Sequence, residues 1–181
     1  MDVLRDRFAK IVVGQIKQVK AHPNATKLRI AEVDIGASPP ARGGVGGGGS
    51  VEIVCGGSNL EEGHRVIVAL PGAKVRWHGE GDWVELHETE IRGVKSHGMI
   101  CAANELGFDK LGQPERAIWD VTDLTDAKPG TLMAKALELD EVIFDIEVTS
   151  NRVDCKSIVG QAREGAAVTG RNIPAEVVLK A

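Results

Sequence analysis

The sequence predicts a mainly β fold, a small barrel of five strands, followed by an α+β C-terminal part. Five short runs between residues 11 and 91 alternate as strands do, with little helical periodicity between them. A Gly/Pro/Ser-rich stretch interrupts them after Ile35. Beyond Gly107 the pattern changes and ends in a Gly/Ala-rich helix. Barrel closure is the expected architecture because it removes the free strand edges that invite aggregation.

Residues 1–9 read as a leader and 10–130 as the barrel module. Ile11 to Val19 is the first strand, with Val13, Gln15, Lys17 and Val19 on one face and Val12, Ile16 and Gln18 on the other. His22-Pro23-Asn24-Ala25 is a turn, since proline blocks a ladder and asparagine tolerates turn dihedrals. Lys27 to Ile35 is the second strand, placing Ala31, Val33 and Ile35 on one side. Residues 37–50 lack the apolar area to offset ordering entropy and read as a flexible surface loop. Val51 to Cys55 and Arg65 to Leu70 are short apolar strands, and Trp83 to Ile91 alternates as the fifth.

The region 131–181 reads as a partial α+β domain. Ala117-Ile118-Trp119 before it is a short strand, and Thr131 to Leu139 is helical after Pro129-Gly130. A strand is expected over 142–149 and a helix over 154–169, with Asp154 as N-cap and Gly170 as C-cap. Ile158, Ala162 and Ala166 stack on one face of that helix, and its small residues suit close approach by a partner surface.

Composition narrows the function. The chain of 181 residues is long enough for a real core, and its net charge of −4 argues against a strong, general nucleic-acid binder. Residues 10–110 balance at 12 basic against 12 acidic, while 111–181 carry 8 against 12, so the acidity lies in the C-terminal part. A neutral surface still binds RNA where its cations cluster on one face. Three scattered cysteines make no disulfide framework, and no signal peptide or membrane-length apolar run is present, so a reducing cytoplasm is the expected compartment, with no membrane partner. Histidines and cysteines show no metal-ligand spacing. The glycines at 43–49 lack the Lys-Ser/Thr ending of a phosphate loop. Neither a metal, a cofactor nor a catalytic site is expected.

Three segments carry the functional signal. His22-Pro23-Asn24-Ala25-Thr26-Lys27-Leu28 alone reads as a hairpin turn. Ile53-Val54-Cys55-Gly56 follows, then Arg92-Gly93-Val94-Lys95-Ser96-His97-Gly98-Met99-Ile100-Cys101, whose glycines and cations suit either phosphate contact or loop closure. Lys27, Arg29, Lys74, Arg76, Arg92 and Lys95, with Ser96, are the candidate RNA-facing residues. Aromatics are scarce, with no Tyr and three each of Phe and Trp; Trp77 and Trp83 are the residues from which one exposed indole is expected. Asn151-Arg152-Val153-Asp154-Cys155 reads first as a structural corner, with Arg152 able to clamp a carboxylate or phosphate.

The three segments in that order resemble the tRNA-binding OB-fold module of aminoacyl-tRNA synthetases and of free-standing proteins. Thr26 stands where the module usually has an acidic residue. Val148-Thr149-Ser150-Asn151-Arg152-Val153-Asp154-Cys155 and its helix are similar to the N-terminal region of the phenylalanyl-tRNA synthetase beta subunit, with Ser150 in place of a proline. The resemblance implies a non-catalytic fragment of a phenylalanine–tRNA ligase that positions tRNA or supports assembly. Its implied partners are tRNA and either the catalytic alpha subunit or the rest of the beta subunit. It further implies that residues 134–181 are half of a split domain, leaving apolar surface at Ile158, Val159 and Ala162 for a partner. Asn151, Arg152 and Asp154 are the accompanying structural candidates. A free-standing tRNA chaperone, as a homodimer, and an OB-fold interaction module without RNA affinity are the alternatives.

Overall fold

A computed structural model describes residues 7–36, 49–111, 114–139 and 145–173. The chain divides into two compact units, Met1–Glu141 and Val142–Ala181.

The first unit is mainly β. Its strands are β1 (Ile11–Ala21), β2 (Arg29–Gly36), β3 (Gly49–Cys55), β4 (Arg65–Ala69), β5 (Lys74–Val75), β6 (Val84–Glu85), β7 (Thr89–Ile91), β8 (Val94–Ser96) and β9 (Met99–Ile100). Five of them form one curled antiparallel sheet in the order β3-β2-β1-β4-β9, consistent with an OB-like fold. The β3 edge is also tied to the segment before β9: His97 N–H donates to the Glu52 carbonyl at 3.0 Å, and Val54 N–H to Ser96 Oγ at 3.1 Å. Two pairs, β5–β6 and β7–β8, stand outside the main sheet.

Alternation divides the core in two. Ile11 and Val13 of β1 and Ile67 and Ala69 of β4 point to one side, where they meet Phe8, Leu106, Trp119, Val121 and Met133. Val12 and Ile16, with Val66 and Val68, point to the other side, against Ala31, Val33, Ile53 and Ile100. Both faces of these central strands are therefore buried, which explains their unbroken apolar runs. Ala31, Val33 and Ile35 share the face expected of them.

Several expectations are corrected. A bulge between Ile16 and Gln18 reverses the parity of β1, so Val19 joins Val12 and Ile16 rather than Val13. Trp83 to Ile91 is not one strand and does not join the sheet; Met99–Ile100 takes the fifth place. Val84 and Leu86, which the alternation of that run puts on the same face, part company: Val84 is exposed and Leu86 buried, held by Leu86 N–H to Ala73 O and Gly72 N–H to Leu86 O. Ala117-Ile118-Trp119 forms no strand, because all three side chains are buried and the backbone bonds instead to Pro114, the Asn59 side chain and Cys101. Phe8, placed in the leader, is 1% exposed and stacks on Phe108 with ring centroids 6.0 Å apart. Of the loop at 37–50, residues 37–48 lie outside the described residues, and Gly49 and Ser50 begin β3.

The expected helix over 131–139 is one turn, α1 (Met133–Ala136), and its Met133 and Ala134 belong to the first unit's core. Glu138 at φ 55° ends it, with Leu139 N–H returning to Ala134 O. Its approach is fixed by Gly130 N–H to Val13 O and Val13 N–H to Thr131 O, both 2.8 Å.

In the second unit, residues 145–149 lie in no strand and 142–144 are outside the described residues. A 3-10 turn covers Val153–Lys156, and α2 spans Ile158–Thr169. Asp154 is not the N-cap: Ser157 Oγ accepts from Gly160 N–H at 3.0 Å, because the 3-10 turn occupies the residues before it. Gly170 closes α2 at φ 66°.

Gly130 holds φ 86°, and a Cβ there would collide with the Ile35 carbonyl oxygen. Gly130→Ala is expected to destabilise the first unit by about 2 kcal/mol or more, combining positive-φ strain with a backbone clash. Urea unfolding followed by Trp fluorescence measures it, and a loss under about 0.5 kcal/mol would contradict the assigned crossing.

Candidate nucleic-acid interface

An open cleft of about 940 Å³ lies where β1 ends, lined by the turn His22–Thr26, Leu28, Arg29, Leu60, Glu62 and Arg92 together with Val19, Lys20 and Ala21. It joins two of the three sequence segments. Its construction starts at the β1 bulge, where Val19 N–H donates to Glu62 Oε1 at 3.0 Å. Val19 turns inward there, and Lys20 lines the cleft with an exposed side chain.

His22 is 5% exposed, and both ring nitrogens are engaged. Asn24 N–H donates to Nδ1 at 3.1 Å, so that nitrogen carries no proton. The ring proton therefore sits on Nε2 and points to the Ile91 carbonyl, 3.1 Å away. Asn24 Nδ2 donates to the Arg92 carbonyl, also at 3.1 Å. The first segment is thus bonded to the third through side chains.

The β7–β8 hairpin turns over two residues, Arg92 and Gly93, at φ 50° and 88° with Ile91 paired to Val94. Two positive φ values mark a type I′ turn, where Asn-Gly is the favoured pair. Arginine at such a position costs about 1 kcal/mol. Its guanidinium makes no hydrogen bond or ion pair among the described residues, and the same is true of the ammonium groups of Lys20 and Lys27.

The other candidates are placed differently. Arg29 lines the cleft but is also a clamp, donating to the carbonyls of Gly57 at 2.8 Å, Ser58 at 3.1 Å and Leu60 at 3.3 Å. Lys95 is exposed on β8, opposite Glu90. Ser96 is 4% exposed, and its hydroxyl accepts from Val54 N–H and donates to Gly98 O, so it shapes the loop rather than offering a free group. Lys74 and Arg76 belong to the β5 region outside the cleft lining, and Arg76 pairs with Asp109 at 3.6 Å. Trp77 is the exposed indole, at 49%, while Trp83 packs on the core. Lys20 was not singled out from sequence; only the bulge reveals where it points.

Burial pushes the Cys55 thiol up and the Cys101 thiol well up, as expected of small core side chains. Burial also raises the Glu105 carboxyl, which accepts from Ala102 N–H at 2.8 Å. Among the described residues no cluster of three or more His, Cys, Asp or Glu is placed to hold a metal ion, and no helix is long and apolar enough to cross a membrane.

In the second unit, Arg152 forks between Asp154, at 3.1 and 3.2 Å, and Glu164 on α2, at 2.6 and 3.5 Å. Asn151 accepts from the Thr149 hydroxyl. The sequence motif is thus a carboxylate clamp that fastens the 3-10 turn to the helix. Ile158 is 87% exposed and Ala162 is half-buried.

A curled antiparallel sheet with cations gathered beside its first turn is the class of a small nucleic-acid-binding β module. The chain belongs to the family described as "Putative tRNA binding domain", matched over residues 11–130. It is similar to phenylalanine–tRNA ligase beta subunits: 41% identical over 92% of this chain and 19% of the relative in Moorella thermoacetica, and 38% identical over 96% of this chain and 20% of the relative in a Synechococcus strain. The chain therefore spans about a fifth of the length of these relatives. Among solved structures, the MetRS related protein of Pyrococcus horikoshii aligns over 74% of this chain and 96% of its own, at TM-score 0.45 and 19% identity.

Hydrogen bonds from Arg152 hold the Asp154 and Glu164 carboxyls below the usual range. Lowered folded values mean that their contribution is complete above the ordinary carboxylate pKa of about 4 and is lost as pH falls through the lowered values. Arg152→Ala is expected to return both titrations to ordinary values and to loosen the N-terminal end of α2. Carboxyl chemical shifts followed through acid check this, and unchanged midpoints would contradict the clamp.

Proposed function

We propose that residues 7–139 form an OB-type barrel that binds tRNA at the cleft beside the turn after β1. The carrying observation is that Lys20 and Arg92 line that one cleft without an acidic partner among the described residues, with Arg29 in its wall, in an otherwise neutral domain. Phosphates bridge such cations with release of counterions, and the flat net charge keeps the interaction confined to that face. Lys95 extends the surface from β8, and Ser96 preserves the loop's shape. Lys74, Arg76 and Trp77 offer a second, weaker edge.

The similarity to phenylalanine–tRNA ligase beta subunits supports the reading that this module serves a larger, cytoplasmic, ATP-dependent ligase. There it supplies tRNA contacts and no chemistry of its own. The second unit, with its Arg152 clamp and the exposed Ile158 on α2, would join the remainder of the beta subunit or the catalytic subunit through apolar contact.

The test is tRNA binding by the chain across a salt series. Binding is expected to weaken steeply with salt, and Arg92→Ala with Lys95→Ala to weaken it about tenfold or more while shallowing the salt slope. Unchanged affinity in that variant would remove the cleft from the reading. Absence of binding at low salt would favour a purely assembly-directed role.

A further inference from the structure

We infer that His22 and Asn24 are positioning residues for Arg92: they fasten the tip of the β7–β8 hairpin to the turn after β1 and so hold its cation at the cleft. This deepens the RNA-binding reading above and rests on it.

Among the described residues, β7 and β8 pair in ladders only with each other, and the base of the hairpin is tied to β3 through Ser96 and His97. At the tip, the bonds that reach the turn after β1 are His22 Nε2 to Ile91 O and Asn24 Nδ2 to Arg92 O, 69 and 68 residues apart in sequence. They fall on two successive carbonyls, those of the residue before the turn and of Arg92 itself. Fixing both orients the peptide planes on either side of the Arg92 Cα. A residue at φ 50° is thereby held from outside its own turn, and its side chain leaves from a set origin.

His22 acts twice through a single neutral ring. Its Nδ1 orders Asn24 by accepting that residue's amide proton, while Nε2 holds Ile91. Burial protects both bonds from exchange with water. Asn24 is exposed yet reaches the tip, and a Cβ on Gly93 would stand 3.6 Å from its amide nitrogen, so the two turns are in contact.

None of these linking atoms is charged, and that gives the test its leverage. The salt dependence of RNA binding counts the cations engaged with phosphate. A neutral-for-neutral substitution in a merely structural residue leaves that count alone. The same substitution in a positioning residue frees Arg92 to wander and lowers the count.

The experiment measures tRNA affinity of the 181-residue chain against salt for the unaltered protein, His22→Gln, Asn24→Ala, Arg92→Ala and the two double variants. Circular dichroism and melting verify the fold; the exposed Asn24 provides the variant that keeps the core untouched. Each single substitution at 22 or 24 is expected to weaken binding about fivefold and to reduce the salt slope by nearly one. In the Arg92→Ala background neither is expected to weaken it further. An unchanged slope in the folded Asn24→Ala variant, or losses that add to that of Arg92→Ala, overturns the positioning role while leaving RNA binding standing. No salt-sensitive binding by the unaltered chain overturns the RNA reading and this inference with it.

Discussion

β1 is buried on both faces from Ile11 to Val13 and again at Ile16, and its neighbours follow from that constraint. A strand with two apolar faces must sit inside its sheet, so β2 and β4 flank it. It also needs cover on two sides. The curl of the sheet supplies one, bringing Ala31, Val33 and Ile53 over Val12 and Ile16. The segments from Phe8 and from 70 onwards, including Trp119 and Met133, supply the other. Gly14 belongs to this arrangement, because a Cβ there would lie 2.6 Å from Val33 and 2.8 Å from Val68. The last residues of the same strand do a different job. Past the bulge Lys17, Gln18 and Lys20 are exposed, and one strand serves both core and cleft.

Net charge is a poor guide to such a surface, since screening limits each exposed charge to about 8 Å at physiological salt. What a phosphate meets is the local arrangement. Lys17 is paired with Asp34, Arg65 with Asp126 and Arg76 with Asp109, and none of these cations lines the cleft. Of those that do, Lys20 and Arg92 have no acidic partner among the described residues, Arg29 donates to backbone carbonyls, and Glu62, the acid in the lining, accepts the Val19 amide. Among the described residues the cleft thus keeps cations without acidic partners, Lys74 and Lys95 likewise have none elsewhere on the surface, and Lys17, Arg65 and Arg76 are neutralised.

The strands through Leu70 were legible because period-two alternation and turn residues are local signals, and β1 to β4 follow them within a few residues. Trp83 to Ile91 misled for a physical reason. Its alternation is real as a pattern, but Leu86 is taken by the Gly72–Ala73 backbone while Val84 faces solvent, and no local rule anticipates that capture. The bulge at Ile16/Gln18 is equally silent in sequence, yet it decides the direction of Lys20. Of the candidate cations, Arg29 and Arg92 could be named from motif chemistry. That Arg29 spends its donors on three carbonyls, and that Ser96 is enclosed, depends on segments distant in the chain. In the second unit the Asn-Arg-x-Asp-Cys run announced a corner, but its carboxylate partner, Glu164, lies a helix turn and more away.

The Arg92–Gly93 turn shows how an arginine can occupy a place that local chemistry would deny it. A type I′ turn favours asparagine at its first position, since a short amide tolerates the left-handed region and bonds to nearby backbone. Here the amide comes from Asn24, in another segment, and meets the carbonyl of the turn residue itself. The support of an Asn-Gly turn is retained while its first side chain is released to be a cation. The two segments are thus joined: the turn after β1 bonds to the carbonyls on either side of the Arg92 Cα, where the backbone holds φ 50°. On the proposed RNA-binding reading, their pairing is what holding a cation for a phosphate requires.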